Sequence, residues 1–360
     1  MNRIRTATTI TTLGLVAMMM AGCASGASSA AEDTPAADGP SVDELRLGYF
    51  ANVTHAPALV GLQEGIFAED LGDVEVTTQV FNAGPAAIEA LTAGAIDATY
   101  IGPNPSINTF IQSGGESARI IAGAATGGAA LVVAEGIDSP EDLEGKTLAS
   151  PQLGNTQDVA LRTWLADEGF ETDTSGGGDV SITPTENAQT LTLFQQGTIQ
   201  GAWLPEPWVS RLVVDAGARV LQDEAELWPD GEFPTTVLLV RADFLEQHPD
   251  VVEDLLQGHV DAVQWIADNP GEVADVVNEK LTADTGKALS DAVIDRALEH
   301  VTFSVDPHAD TFETLVEDGR AAGTQKDGSI EGLFDLRLLN GILEAGGETV
   351  SAAGLGEDSP

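Results

Sequence analysis

The chain has 360 residues and sets 58 Asp and Glu against 15 Lys and Arg, a formal charge of −43 at pH 7. That balance excludes a nucleic-acid binder, whose phosphate affinity is built from Lys and Arg, and forces any anionic ligand to rely on short-range donors. One cysteine excludes a disulfide framework, so the core must suffice.

Arg3 and Arg5 precede an apolar run from about Ile10 to Ala21, too short for a spanning helix, which takes roughly 20 residues. A basic start, a short apolar run and small residues at its end describe an export signal over 1–22. Met20-Ala21-Gly22-Cys23 resembles a bacterial lipoprotein processing site, which implies lipidation at Cys23 and an anchor on the outer face of the cytoplasmic membrane, or in the periplasm. Residues 23–44 are small, polar and acidic, too poor in apolar surface to offset chain entropy, and read as a flexible tether. The roughly 310 residues that follow are too many for one simple core and suggest two lobes.

From Glu44 strand and helix patterns alternate. LRLGYF (45–50) reads as a strand, APALVGLQEGIF (56–67) as a helix, VEVTTQVF (74–81) as a strand and PAAIEALTAG (85–94) as a helix. AIDATYI (95–101), the helix PSINTFIQS (105–113) and ARIIAGAA (118–125) continue the series, so the strands are parallel with crossovers in an α/β layer. A second stretch repeats the scheme: KTLASP (146–151), a helix over 156–169, DVSIT (179–183), a helix over 187–197 and TIQGAWL (198–204). GAIDATYIGPNPS (94–106) and GTIQGAWLPEPWV (197–209) align at an offset of 103 residues, with Tyr100 answering Trp203 and a proline turn after each. From about 235 a strand leads into a long amphipathic helix after His248-Pro249, more helices to about 345 and a polar tail over 346–360. Apolar runs near 129–134 and 235–241 sit where a chain would cross between lobes, a two-strand hinge.

In open α/β sheets ligands sit beyond the carboxyl ends of strands, where helices begin. Six turns fall there, around Asn52–His55, Asn82–Pro85, Gly102–Ser106, Gly154–Gln157, Glu186-Asn187 and Pro205–Trp208. Helix starts leave backbone N–H groups unpaired and can hold an anion without a cationic side chain. Ordinary capping by Asn, Ser and Thr explains any one such turn; six converging on one cleft point to a site. Trp203 and Trp208 are expected to wall it, His55 to donate to an anion, titrate or cap the following helix, and Glu206 to orient Trp208 or a backbone turn or to receive an amino group. Arg46, Arg119, Lys146, Arg162 and Arg211 fall within or just inside secondary elements and are expected in surface or interlobe salt bridges.

Other motifs fail. GKT at 145–147 lacks the glycine that a phosphate loop needs at 140, where Pro140 stands. No Gly-x-Ser-x-Gly elbow and no metal-ligand spacing of histidines appears. No catalytic residue, metal or cofactor is expected.

Together the lipoprotein site, ANVTHAPALVG, FNAGPAAIEAL, DLEGKTLASPQLGNTQDVALR and GAWLPEPW resemble solute-binding proteins of ABC importers, in the pattern of the aliphatic-sulfonate, taurine and nitrate binders. The resemblance implies an α/β type II periplasmic-binding fold, with lobe I over 45–128 and 236–345, lobe II over 129–235, and a ligand cleft between them. Carried over by position, it implies ligand contacts at Asn52, Thr54, His55, Gly84, Pro103, Asn104, Asn155, Thr156, Gln157, Trp203, Glu206 and Trp208. It also implies a monomer that captures a small anionic organic solute, an aliphatic sulfonate or taurine, and delivers it to a membrane permease. Nitrate, a thiamine-type pyrimidine precursor, a thiamine-pathway enzyme and a ligand sensor are the alternatives on the same scaffold.

Overall fold

The computed structural model describes residues 40–359. The signal, Cys23 and most of the tether expected from the sequence lie outside the described residues. Among the described residues no helix is long and apolar enough to cross a membrane. The chain is already held at Ser41, whose N–H and hydroxyl both donate to Asp250, at 2.8 and 2.6 Å.

The first stretch runs β1 (Glu44–Phe50), α1 (Ala56–Gln63), α2 (Ile66–Asp70), β2 (Glu75–Phe81), α3 (Gly84–Thr92), β3 (Ala98–Ile101), α4 (Pro103–Gln112) and β4 (Ala118–Gly127). The single helix expected over 56–67 is two, because Gly65 takes φ +77° and turns the chain before Ile66. A second stretch follows with β5 (Ala129–Val133), β6 (Thr147–Ser150), α5 (Thr156–Asp167), β7 (Ser181–Pro184), α6 (Asn187–Gln195), β8 (Gly201–Pro205), α7 (Trp208–Ala216) and β9 (Arg219–Asp223). The third comprises β10 (Pro234–Arg241), α8 (Ala242–Gln247), α9 (Pro249–Asp268), α10 (Val273–Thr285), α11 (Asp291–Glu299), β11 (Val301–Phe303), α12 (Phe312–Ala321), β12 (Phe334–Asp335), α13 (Arg337–Leu343) and β13 (Gly356–Glu357).

These strands form two separate sheets, each the centre of an α/β lobe. The first has the order β13-β12-β4-β10-β3-β1-β2, with β11 pairing β4 off that path; the second has β7-β6-β8-β5-β9. The chain passes from the first sheet to the second at Gly127-Gly128 and returns between β9 and β10. Both glycines of the first passage have φ near +70°, a conformation that side-chain-bearing residues rarely adopt.

The repeated phrases occupy equivalent places. β3 pairs in parallel with β1 and antiparallel with β10; β8 pairs in parallel with β6 and antiparallel with β5. Alternation along β8 sends Ala202 and Leu204 to one apolar layer, while Trp203 joins Leu131, Leu148 and Trp164 in the other. The aromatic of each phrase is thus a core anchor with a satisfied polar tip. Tyr100 Oη meets His259 Nδ1 at 2.8 Å, and Trp203 Nε1 donates to Glu224 at 2.7 Å.

The segment read as a polar tail folds back. β13 pairs with β12, Ala352 is fully buried, and Asn340 donates from Nδ2 to the carbonyls of Val350 and Asp358 at 2.9 and 2.7 Å. Composition hides this, because the docking rests on one buried carboxamide and an edge-strand pairing.

Candidate functional site

All six helix starts named from the sequence contribute wall residues to one small cavity between the lobes. It is lined from the first lobe by Phe50, Asn52, Thr54, His55, Asn82, Ala83 and Gly102, with Thr235 at the return crossing. Pro151, Asn155, Gln157, Asn187 and Pro205 face them from the second lobe. Its volume is about 20 Å³, room for about one or two water-sized groups. No Asp, Glu, Lys or Arg lines it.

Ordinary capping does not account for these starts. At α1, α3, α4, α5, α6 and α7 the N-cap residue makes no side-chain hydrogen bond to its own helix. What polar pairing exists there often reaches across the cleft. The Gly84 N–H donates to Asn155 Oδ1 at 3.0 Å, Asn82 Nδ2 to Glu186 at 3.2 Å, and Trp208 Nε1 to Asn52 Oδ1 at 2.9 Å. The lobes are therefore closed on one another.

His55 sits in this wall at 2 % exposure, stacked on Phe50 with ring centroids 4.5 Å apart. Burial pulls its pKa down to about 3, so the ring is neutral near pH 7. Its Nδ1 accepts from the Phe50 N–H at 3.3 Å, which leaves the proton on Nε2 as a donor. The α5 loop is set by a buried network. Asp158 accepts from the Ser150 hydroxyl at 2.6 Å, the Gly154 N–H at 2.9 Å and Arg162 Nε at 3.0 Å. Arg162 is in a salt bridge, but a buried one within α5 rather than the surface or interlobe bridge expected, and it fixes the turn that carries Asn155 and Gln157.

Asn52, Asn82 and Asn187 are shared with an adjoining pocket of about 310 Å³. Trp208, Pro207, Phe81, Leu281 and Leu289 give this pocket apolar walls, and Arg211 and Lys287 supply its cations. The Arg211 guanidinium lies 4.6 Å from the Trp208 ring centroid. Asp215 is 3.7 Å away, an ion pair too long for a hydrogen bond, and Arg211 Nε has no hydrogen-bond partner among the described residues. Burial depresses the Arg211 pKa, the mark of a cation short of solvent.

The sequence-named residues divide into groups. Asn52, Thr54, His55, Asn155 and Gln157 line the cavity, and Trp208 lines the adjoining pocket. Asn104 and Thr156 instead line a separate pocket. Gly84 holds the lobes together through Asn155, and Pro103 is the buried first residue of α4, suited to that position by its missing N–H. Trp203 does not wall the cleft, because strand alternation turns it into the second lobe's core. Glu206 is turned inward as well. It accepts from the Ser210 N–H at 3.0 Å and from Arg296 at 3.0 Å, so it caps α7 and ties it to α11. Burial raises its pKa against the pull of those partners. Phe50, Pro151, Thr235 and Lys287 carried no signal in the sequence, since each reaches the site only through sheet and helix packing. Arg211 did: it lies one turn into a cleft-side helix.

Residues 38–279 match the model of the NMT1-like family. The chain belongs to that family. It is 30% identical over 217 residues to the taurine-binding periplasmic protein of Escherichia coli strain K12, a match covering 59% of this chain and 64% of that protein. The chain thus matches just under two thirds of that relative's length. It is 26% identical over 277 residues to the nitrate/nitrite binding protein NrtA of Nostoc sp. PCC 7120, covering 69% and 61% of the two chains. Among solved structures, the alkanesulfonate-binding protein SsuA from Xanthomonas axonopodis pv. citri bound to MOPS superposes with a TM-score of 0.67 at 20% identity, covering 79% of this chain and 95% of that one. The two α/β lobes are those of the periplasmic-binding-protein fold.

Proposed function

We propose that this protein is the solute-binding component of an ABC importer and that it captures a small sulfonate, taurine or an aliphatic sulfonate, between its lobes. The observation that carries the reading is electrostatic. In a chain of charge −43, six helix starts enclose a cavity with no carboxylate in its wall. Backbone N–H groups, neutral His55, Asn52, Asn155 and Gln157 supply short-range donors there, and helix starts favour negative charge. The adjoining pocket gives an organic tail apolar contact with Trp208 and brings Arg211 within the site. For taurine, Glu186 in the adjoining pocket and Asn187 Oδ1 at the shared wall, which has no hydrogen-bond partner among the described residues, would receive the ammonium. Relatives named for taurine and for nitrate or nitrite agree with an anion.

Ligand bridging both lobes stabilises the closed arrangement by its differential affinity for it. Delivery to a permease, with Cys23 as the lipid anchor outside the cytoplasmic membrane, completes the proposal. A second reading, nitrate or bicarbonate alone, draws on the smallness of the central cavity, which would hold a planar anion without the adjoining pocket. Calorimetric titration of the full-length protein with taurine, butanesulfonate, nitrate and bicarbonate decides between them. Saturable heat with the sulfonates supports the first reading. Binding of nitrate or bicarbonate alone replaces it with the second, and silence across the panel refutes both.

A further inference from the structure

A larger pocket, of about 550 Å³, shares no lining residue with the central cavity or with the pocket beside Trp208. It is enclosed by α5 of the second lobe, by α4 and α12 of the first, and by the crossing segment around 224–232. Among the described residues six carboxylates line it, those of Asp167, Glu224, Asp230, Glu232, Asp310 and Asp318, and no Lys or Arg does. The one basic side chain among those lining residues, His308, lies 3.8 Å from Glu232.

Acidic residues abound on this chain, but Glu224 is not on its surface. At 1 % exposure it accepts from Trp203 Nε1 and, among the described residues, forms no ion pair; neither does Asp318. Burial pushes the Glu224 carboxyl up to about 8 and Asp318 up to about 6, as expected of carboxylates without a counter-charge.

A second observation is independent of charge. Asn104 is fully buried in this wall, its Nδ2 committed to the Leu315 carbonyl at 3.2 Å, and its Oδ1 has no partner among the described residues. Nor does the neighbouring Thr156 Oγ1 have one among them. Buried acceptors left empty are costly, so the wall asks for a donor. The remaining surface is apolar and aromatic, with Trp164 and Trp228 on it. Among the described residues no three His, Cys, Asp or Glu side chains group closely enough to hold a metal ion.

We infer that this pocket binds an organic ammonium ion, its N–H groups toward Glu224, Asp318 and Asn104 and its hydrocarbon against Trp164 and Trp228. A bound ammonium supplies the counter-charge that lets Glu224 ionise, cations gain further from aromatic faces, and the pocket is the size of a small organic molecule rather than a bare ion. The site does not depend on the anion reading. Its walls come from both lobes, so an occupant also favours the closed arrangement and acts as a co-ligand for whatever fills the central cavity.

The test is calorimetric titration of the full-length protein with phenethylammonium chloride, beside 2-phenylethanol as its neutral counterpart and sodium chloride at matched ionic strength. The inference expects saturable binding of the ammonium, at least tenfold tighter than the alcohol. It also expects at least tenfold weakening in Glu224→Gln and, separately, in Asp318→Asn, each checked for folding by circular dichroism. Equal binding of ammonium and alcohol, or no ammonium binding, overturns it, as does full affinity in both folded variants. A parallel taurine titration reads the central cavity, so failure of one site is distinguishable from failure of the other.

Discussion

Gly102→Ala tests whether closure of the lobes is what binding requires. Gly102 begins α4 in the first lobe and faces Thr156 at the start of α5 in the second. A Cβ at Gly102 would lie 2.4 Å from Thr156 Oγ1 and 3.4 Å from its Cβ. Ordinary contact begins near 3.4 Å, so the facing loops must part by about 1 Å; overpacking of this kind costs about 1–3 kcal/mol. Gly102 has φ −72°, which alanine adopts freely, so no backbone strain is added. The cost falls on the closed form, and affinity is expected to drop about 5–150-fold. The assay is calorimetric titration with the bound sulfonate, together with melting of the unliganded protein, whose temperature should hold while the ligand-induced rise shrinks. Thr156→Ala removes the colliding oxygen, so Gly102→Ala added to Thr156→Ala should cost far less than Gly102→Ala alone. Undiminished affinity in Gly102→Ala, or an equal loss in the Thr156→Ala background, would refute the reasoning.

Three further outcomes follow from particular side chains. Arg211→Gln removes the half-buried guanidinium beside Trp208; sulfonate affinity should fall about tenfold or more and lose part of its salt dependence, since a charge-assisted hydrogen bond contributes about 1.5–3 kcal/mol. An unchanged salt slope would place the anion elsewhere. Arg162→Met leaves Asp158 as an uncompensated buried charge and should cost about 3–5 kcal/mol in urea unfolding; a loss under about 1 kcal/mol would mean the turn is held by other contacts. Glu224→Gln should change how stability varies with pH. The native carboxyl titrates near 8 against an ordinary 4.5, so the unfolded chain releases a proton that the native state keeps. Native stability therefore falls with a slope of up to about 1.4 kcal/mol per pH unit as pH rises from 4.5 to 8. The stability of Glu224→Gln relative to the parent should rise across that window and level off above it. A constant difference would show that Glu224 is already ionised in the native protein.

The sequence by itself determined the class of fold and which turns gather around the central cavity. Alternating strand and helix patterns are local consequences of side-chain spacing, and the carboxyl ends of parallel strands are where helix starts gather, so the six turns were legible before any packing was known. The repeat at an offset of 103 residues foretold two sheets with equivalent strands β3 and β8. Only the tertiary structure decided which residue in each turn faces the central cavity. Trp203 and Trp208 stand five residues apart in one phrase, yet strand alternation buries the first in the core and the next helix brings the second to the adjoining pocket. Glu206 lies between them and is consumed by Arg296, 90 residues later in the chain. Asn104 and Thr156, near cavity residues in sequence, line the acidic pocket instead. Spacing along a chain fixes the elements, because it acts through neighbouring dihedrals; the direction of a side chain at an element's end depends on how two distant elements pack, and no local pattern encodes that.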